Sequence, residues 1–217
     1  MLKNLFATLG IVLAGAAAHA AELRVAVKDH KGRNVADAVV LAVAVDARNA
    51  QHSHPPSDAV DQVDKQFVPF VKPIFVGSTV RFPNSDNIRH QVYSFSAARK
   101  FELPLYAGTN APPVVFDKPG VVVLGCNIHD WMLGYIYVSE TPFFAKTGPL
   151  GTVSISDMPA GEYTVRIWHP NLDRAEETTS RRLSVTAEAP VSAEWQIGLK
   201  PSIRVPRVSG SASPSYP

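Results

Sequence analysis

The sequence has only one cysteine, Cys126, among its 217 residues. An intrachain disulfide is therefore excluded, and the thiol is an intermolecular bridge, an inert buried group or a metal ligand. The sequence also lacks a large excess of charge of either sign, because 21 Lys and Arg are nearly balanced by 19 Asp and Glu, for a net charge of +2. With no basic stripe, nothing points to nucleic acid. The G-x-S-x-G, phosphate-loop and H-E-x-x-H motifs are absent too, so we do not expect an enzyme.

Long hydrophobic runs are missing except at the start of the chain. Lys3 precedes an uncharged apolar run over residues 5–18, and Ala18-His19-Ala20 follows as a small-x-small site. This pattern is typical of a secretory signal peptide, and the run is too short for a membrane span. We therefore expect residues 1–20 to be a signal peptide cleaved near Ala20, and the protein to be exported to the periplasm without a membrane span. Export makes the unpaired cysteine informative, because exported proteins commonly pair theirs.

Proline and glycine divide the rest into short pieces. The sequence contains 18 Pro and 13 Gly, and between them lie short β-branched and aromatic runs, of which residues 23–27, 38–45 and 163–169 are the clearest. Many short strands separated by turns predict an all-β protein of sandwich or barrel type. Residues 99–110 are expected to be irregular. The Pro/Ser/Gly-rich tail, residues 201–217, is expected to be disordered.

The segment around the single cysteine carries the strongest chemical signal. Cys126, His129 and Met132 stand in a C-x2-H-x2-M spacing, and His90 lies upstream. One thiolate, two imidazoles and one thioether are the ligand set of a blue-copper site, where soft sulfur donors favour copper over hard cations. A lone buried cysteine is the ordinary alternative, but it leaves the histidine at +3 and the methionine at +6 unexplained. The pattern therefore predicts a copper site.

Residues 67–138 resemble the cupredoxin family, in particular plastocyanin and amicyanin. The matching features are Val-Gly-Ser-Thr-Val-Arg-Phe at 76–82, Asn84 before His90, Lys-Pro-Gly at 118–120, and a ligand loop of amicyanin length. The resemblance implies a Greek-key β-sandwich or barrel with one type 1 copper per chain, bound by His90, Cys126, His129 and Met132. It further implies that Asn84 ties its loop to the cysteine loop and that electrons pass through the edge of His129.

Two flanking stretches resemble a small immunoglobulin-like or transthyretin-like β-sandwich of the carboxypeptidase-regulatory type. They are residues 24–40 and residues 152–166, the latter containing Met-Pro-Ala-Gly-Glu-Tyr. We therefore predict a discontinuous sandwich, residues 21–50 and 141–200, with a cupredoxin-like copper domain, residues 60–140, inserted in it. The whole arrangement resembles exported proteins described as methylamine-utilisation or plastocyanin-like.

Three functions are compatible with this pattern. The first is a blue copper protein that carries single electrons between transiently bound redox partners. The second is a copper-binding or copper-delivery protein without electron transfer, and the third is a β-sandwich interaction module whose site has decayed or binds zinc.

Other side chains are weighed against the site. A hydrophobic shell around the sulfur is predicted, although ordinary core positions are the commoner explanation for each member; its candidates are Phe82, Phe95, Ile128, Trp131 and Leu133. The remaining histidines are expected to lie outside the site: His30 in a turn, His52 and His54 in a solvated loop, and His169 at a strand end.

Overall fold

The computed structural model describes residues 21–46 and 57–202, and within them it is almost entirely β. The predicted all-β class is confirmed. The strands, numbered in chain order, are β1 (Ala21–Asp29), β2 (Val39–Ala44), β3 (Ser57–Ala59), β4 (Asp61–Val63), β5 (Gln66–Val68), β6 (Val71–Phe75), β7 (Thr79–Arg81), β8 (His90–Ser96), β9 (Arg99–Tyr106), β10 (Val114–Val115), β11 (Gly120–Cys126), β12 (His129–Ser139), β13 (Phe144–Lys146), β14 (Thr152–Met158), β15 (Gly161–Trp168), β16 (Arg181–Val185) and β17 (Val191–Ile197). The one helix in the described part is a 3-10 turn, Glu176–Thr179.

Two sheets enclose the first hydrophobic core. One has the strand order β14-β1-β17 and the other β13-β2-β15-β16. In β1 every second residue is buried, as the period of a strand requires, so that Leu23, Val25 and Val27 point inward. They meet Val40, Tyr163 and other apolar side chains of the second sheet in one cluster. The pair of sheets is therefore a β-sandwich, which we call the outer sandwich.

The strands of the outer sandwich come from both ends of the described chain. β2 pairs antiparallel with β15, from Val39 opposite Trp168 to Ala44 opposite Tyr163. β1 pairs with both β14 and β17. Residues 57–139 lie between these partners in sequence and form separate sheets. The predicted domain limits, 21–50 with 141–200 and 60–140, stay a prediction.

Residues 57–139, which we call the central region, enclose the second core. A five-stranded sheet has the order β6-β12-β11-β8-β9, and a three-stranded sheet has the order β10-β7-β3, with β4 and β5 forming a hairpin. The core contains side chains from both sheets and from β5 of the hairpin, among them Phe67, Val80, Leu124 and Ile136. Cys126 and Met132 belong to the same cluster. The residues singled out in the sequence are therefore at the edge of a packed core.

One sequence expectation fails in this sheet. Residues 99–110 were expected to be irregular, yet Arg99–Tyr106 forms β9 and pairs with β8. Pro104 lies inside this strand, and a proline cannot donate a hydrogen bond to a ladder. β9 is the edge strand of its sheet, so one side of it needs no ladder partner. The proline is therefore compatible with the strand.

A third apolar cluster joins the outer sandwich to the central region. Val39 and Leu41 of β2 and Trp168 of β15 contact Val71 of β6 and Tyr137 of β12. The Trp168 ring lies 5.2 Å from that of Tyr137, centroid to centroid. The two parts therefore share a buried contact.

Several predicted features lie outside the described residues. They are the leader, His52 and His54, and residues 203–217 of the tail. Within the described ranges, no helix has the length and hydrophobicity to cross a membrane.

Candidate metal centre

Cys126 and His129 are brought together by the hairpin between β11 and β12. The strands pair in register until Gly125 opposite Leu133, and then a bulge places Cys126 opposite His129. A bulge redirects side chains at the end of a ladder. Here the Cys126 Sγ lies 3.9 Å from His129 Nδ1. The C-x2-H spacing therefore corresponds to a tight hairpin turn that brings the two side chains together.

His90 reaches the same point from the neighbouring strand. It is the first residue of β8, which pairs with β11 through Tyr93 and Gly125. A Cβ on Gly125 would lie 2.7 Å from the end of the Tyr93 ring, so the glycine leaves room for that ring over β11. The His90 side chain is fully buried, and its Nδ1 lies 3.8 Å from Cys126 Sγ.

Three potential donor atoms thus converge. The ligand atoms of His90, Cys126 and His129 all lie within 4.8 Å of one another. Metal–nitrogen and metal–sulfur bonds are about 2.0 and 2.3 Å long. At a trigonal angle of about 120°, they place nitrogen and sulfur about 3.7 Å apart. The two observed sulfur–nitrogen distances, 3.8 and 3.9 Å, fit this value, so the residues present fit a single metal ion.

Met132 lies in the same part of the molecule. Residues 132, 134, 136 and 138 of β12 are all buried on the core side, as alternation in a strand requires. Met132 is 2% exposed. It lines a cavity of about 320 Å³ together with Cys126. Met132 and Cys126 therefore line the same cavity, and a weak axial donor would have to lie on such a shared lining.

The Cys126 thiol is prepared for deprotonation. Burial raises its pKa, but the hydrogen bond with His90 and the backbone N–H groups of Gln91 and Ile128 lower it, and the net effect is a pKa below the usual range of a thiol. For His90, burial lowers the pKa, whereas the contacts with Cys126 and Asp86 raise it above the ordinary value. The surroundings of Cys126 therefore ease the loss of the thiol proton, which metal binding requires.

An acidic residue that sequence reasoning missed stands behind His90. Asp86 Oδ2 lies 2.7 Å from His90 Nε2, on the ring atom opposite the one that faces the sulfur. A metal-binding histidine almost always donates its other ring N–H to such an acceptor. The only sequence signal was the position of an aspartate four residues before the histidine, in a loop whose geometry the pattern did not reveal.

Asn84 has a different role from the expected one. Its side-chain N–H groups donate to the carbonyls of Ile88 and Tyr106 at 2.9 Å each. These bonds close its own loop and fasten it to β9. The expectation that Asn84 ties its loop to the cysteine loop is therefore wrong for its side-chain amide.

The predicted hydrophobic shell is only partly buried. Phe82 lies in the core at 2% exposure, whereas Phe95 is 76% exposed and Ile128 is 47% exposed. Phe95 points to the outer face because it is out of phase with the buried Val92 and Ser94 positions. Trp131 lies beside His129, with ring centroids 5.1 Å apart. The prediction is wrong for Phe95.

The other described histidines lie in the outer sandwich. His30 is exposed in the turn after β1. His169 follows β15, and its Nδ1 accepts the N–H of Asn171 at 3.1 Å. In the described residues, the one group of three or more His, Cys, Asp or Glu able to hold a metal is the set of His90, Cys126 and His129.

Comparisons with known proteins yield partial similarities. No protein-family model matches the sequence, and no curated protein matches it. A copper-containing nitrite reductase of Thermus scotoductus is 32% identical over 46% of this chain and 25% of its own, with a TM-score of 0.38. This chain thus spans a quarter of that protein.

Cupredoxins are also among the similar solved structures. A purple cupredoxin of Nitrosopumilus maritimus is 24% identical over 38% of this chain and 99% of its own, with a TM-score of 0.34. A reduced Cu(I) form of a single-site amicyanin variant is 18% identical over 46% of this chain and 98% of its own, with a TM-score of 0.36. The resemblance of the flanking segments to transthyretin-like sandwiches stays a prediction.

Proposed function

We propose that this chain is a type 1 copper protein that carries single electrons between redox partners in the periplasm. The observation that carries the proposal is the convergence of the ligand atoms of His90, Cys126 and His129 within 4.8 Å of one another. Met132, buried beside the same cavity, is proposed as the weak fourth ligand. The signal-peptide pattern of residues 1–20 supports export.

The donor set favours electron transfer over substrate chemistry at the metal. Bound copper would supply the one-electron Cu(II)/Cu(I) couple. Four protein donors leave no open coordination position, and catalysis at a metal generally needs one. The chain contributes a thiolate, a buried imidazole and a fold that holds both before the ion arrives. A preorganised site is suited to an ion that changes its charge without changing its ligands.

The edge of His129 is the proposed point of electron entry and exit. His129 and Trp131 are half-buried, and Ile128 beside them is 47% exposed. An apolar rim around a partly accessible ligand suits the small, transient interfaces of redox encounters. His90, in contrast, is fully buried, so a partner cannot contact its ring.

The visible absorption spectrum tests the proposal. Cu(II) is added to the purified chain, and the spectrum is recorded before and after a mild reductant and again after reoxidation. We expect an intense blue band that bleaches and returns. A chain that binds zinc with no colour, or that binds no metal, would contradict the proposal, since zinc is a d10 ion without redox chemistry.

The same experiment separates the carrier from a copper-delivery protein. After reduction, the chain is passed through a desalting column and its copper content is measured. A carrier retains Cu(I), because it must be oxidised again without leaving the site. Loss of the metal on reduction would instead favour delivery.

A further inference from the structure

The carboxylate of Asp86 occupies a defined position behind the proposed site. Its Oδ2 lies 2.7 Å from Nε2 of His90, while Nδ1 of the same ring faces Cys126 Sγ at 3.8 Å. The His90 side chain is 0% exposed and that of Asp86 is 12% exposed. A neutral imidazole that donates from Nε2 has its lone pair on Nδ1. The contact therefore selects the tautomer that can bind a metal.

The carboxylate is itself held by the tip of the β4–β5 hairpin. Its Oδ1 accepts the backbone N–H of Asp64 at 2.7 Å, and its Oδ2 accepts that of Lys65 at 2.9 Å. Asp64 and Lys65 both have positive φ, 51° and 58°, as the central residues of a two-residue hairpin turn require. This turn presents two adjacent N–H groups to one carboxylate. Both oxygens of Asp86 are thus held by the hairpin tip, while Oδ2 also contacts His90.

We propose that Asp86 is a positioning residue that sets the tautomer and orientation of His90 and biases the metal centre toward Cu(II). The inference rests on the proposed function and deepens it. A negative charge hydrogen-bonded to a ligand raises the basicity of that ligand. The more highly charged Cu(II) gains more from a basic imidazole than Cu(I) does. The hairpin tip therefore helps to determine the redox balance of a site from which it is separated by two side chains.

Asp86→Ala and Asp86→Asn test the proposal, with Asp61→Asn as the matched control. Asp61 accepts hydrogen bonds from Ser85, the neighbour of Asp86, but the bonds of its carboxylate do not reach the histidine. It therefore reports the effect of removing a nearby charge without removing the contact. Cu(II) and Cu(I) affinities and the midpoint potential are measured at one fixed pH for the wild type and the three variants.

We expect the alanine variant to bind Cu(II) about 10- to 100-fold more weakly, the usual effect of losing such an acceptor, with a smaller loss for Cu(I). The midpoint potential then rises by about 59 mV for each tenfold difference between the two losses. The asparagine variant keeps an acceptor oxygen but loses the charge, so its effect is intermediate. The control is expected to match the wild type. Equal shifts for Asp61→Asn and Asp86→Asn would overturn the proposal.

A copper-independent measurement distinguishes failure of this inference from failure of the proposed function. Imidazole nitrogen correlations in the copper-free chain, recorded at a pH at which the His90 ring is neutral, identify which ring nitrogen carries the proton. We expect the Nε2–H form in the wild type and its loss in Asp86→Ala. An unchanged tautomer would overturn the positioning role even if the site binds copper. A wild-type chain with no thiolate-to-copper band would overturn the proposed function, whatever the tautomer.

Discussion

The outer sandwich and the central region are both built from β-sheets, but they bury different side chains. The core of the sandwich is a continuous apolar cluster that includes Tyr163 and Trp195. The first half of the central region, in contrast, contains most of the polar side chains that are buried in the described residues: Gln62, Ser78, Asn84, His90 and Ser94. Burial of a polar group costs free energy unless a partner satisfies it. The central region therefore retains groups that packing alone does not require.

Gln62 and Asn84, two of these buried polar groups, belong to a hydrogen-bond network around the His90 loop. Gln62 Nε2 donates to the hydroxyl of Tyr106, which donates to the carbonyl of Phe82 at 2.6 Å. Tyr106 lies opposite His90 in the β8–β9 ladder, and its own carbonyl accepts from Asn84. The bonds thus connect the loop before His90 to the strands behind it. The difference between the two regions is that the bonds of Gln62 and Asn84 in the central region hold one end of the sheet in place.

Replacement of the cysteine is the largest expected perturbation, and it affects the proposed metal site of the central region alone. Cys126→Ser removes the soft thiolate, and a hydroxyl cannot replace it as a copper ligand of this type. We expect complete loss of any blue band with a change of only about 1 kcal/mol in the free energy of unfolding, since a serine hydroxyl can keep the local hydrogen bonds. The measurements are the visible spectrum with Cu(II) and denaturant unfolding.

The matched control for this experiment is a histidine of the other region. His30 is exposed in the outer sandwich, and His30→Ala is expected to leave the band unchanged. His90→Ala is expected to weaken or alter the band. A blue band retained in Cys126→Ser would show that the thiolate is not the ligand.

Trp168→Ala is the next largest perturbation and tests whether the two regions act as one unit. Trp168 is 9% exposed and packs on Tyr135 and Tyr137, with ring centroids 5.9 and 5.2 Å away. Truncating a buried tryptophan costs about 3–5 kcal/mol. We expect the midpoint of denaturant unfolding to fall by a corresponding amount, in a single transition seen by both far-UV circular dichroism and the copper band, while the native spectrum keeps its position.

An exposed aromatic residue supplies the control. Phe95 is 76% exposed on the central region, and Phe95→Ala is expected to change the unfolding free energy by less than about 0.5 kcal/mol. Two separate transitions in Trp168→Ala, one reported by the copper band and one by circular dichroism, would show that the regions unfold independently.

The same comparison shows what could be predicted from the sequence. Alternation in β1, the continuous apolar run of β2 and the turns between the strands identified the all-β class. The C-x2-H spacing identified two residues that the hairpin does bring together, and His90 was found through the loop that precedes it. These signals are local, because they depend on the period of a strand or the length of a turn.

The features that sequence reasoning missed depend on partners distant in sequence. β9 was missed because the effect of Pro104 depends on which strand lies at the edge of the sheet. Asp86 was missed because its role depends on the β4–β5 turn, more than twenty residues earlier, which presents N–H groups to it. The solvent-facing orientation of Phe95 follows from the register of β8, and hydrophobicity alone gives no information on register.

The smallest expected effect concerns His169 of the outer sandwich and the pH dependence of the free energy of unfolding. Burial lowers the pKa of His169, and the Asp37 charge and the carbonyl of Ala36 only partly offset this. His169 therefore binds a proton more weakly in the folded chain than in the unfolded chain, where the pKa of a histidine is about 6.5. Since the unfolded state binds more protons below that pH, the free energy of unfolding falls as the pH drops from about 6.5 toward the folded-state pKa.

His169→Asn removes this titration while keeping an acceptor for the N–H of Asn171, which His169 Nδ1 holds at 3.1 Å. We expect the difference in unfolding free energy between wild type and variant to shrink between pH 7 and pH 5, by at most about 1.4 kcal/mol per pH unit. This difference is measured by denaturant unfolding of the copper-free chain at several pH values. His30→Asn, in an exposed turn, is the control. A difference independent of pH would show that His169 does not contribute to the pH dependence of the unfolding free energy.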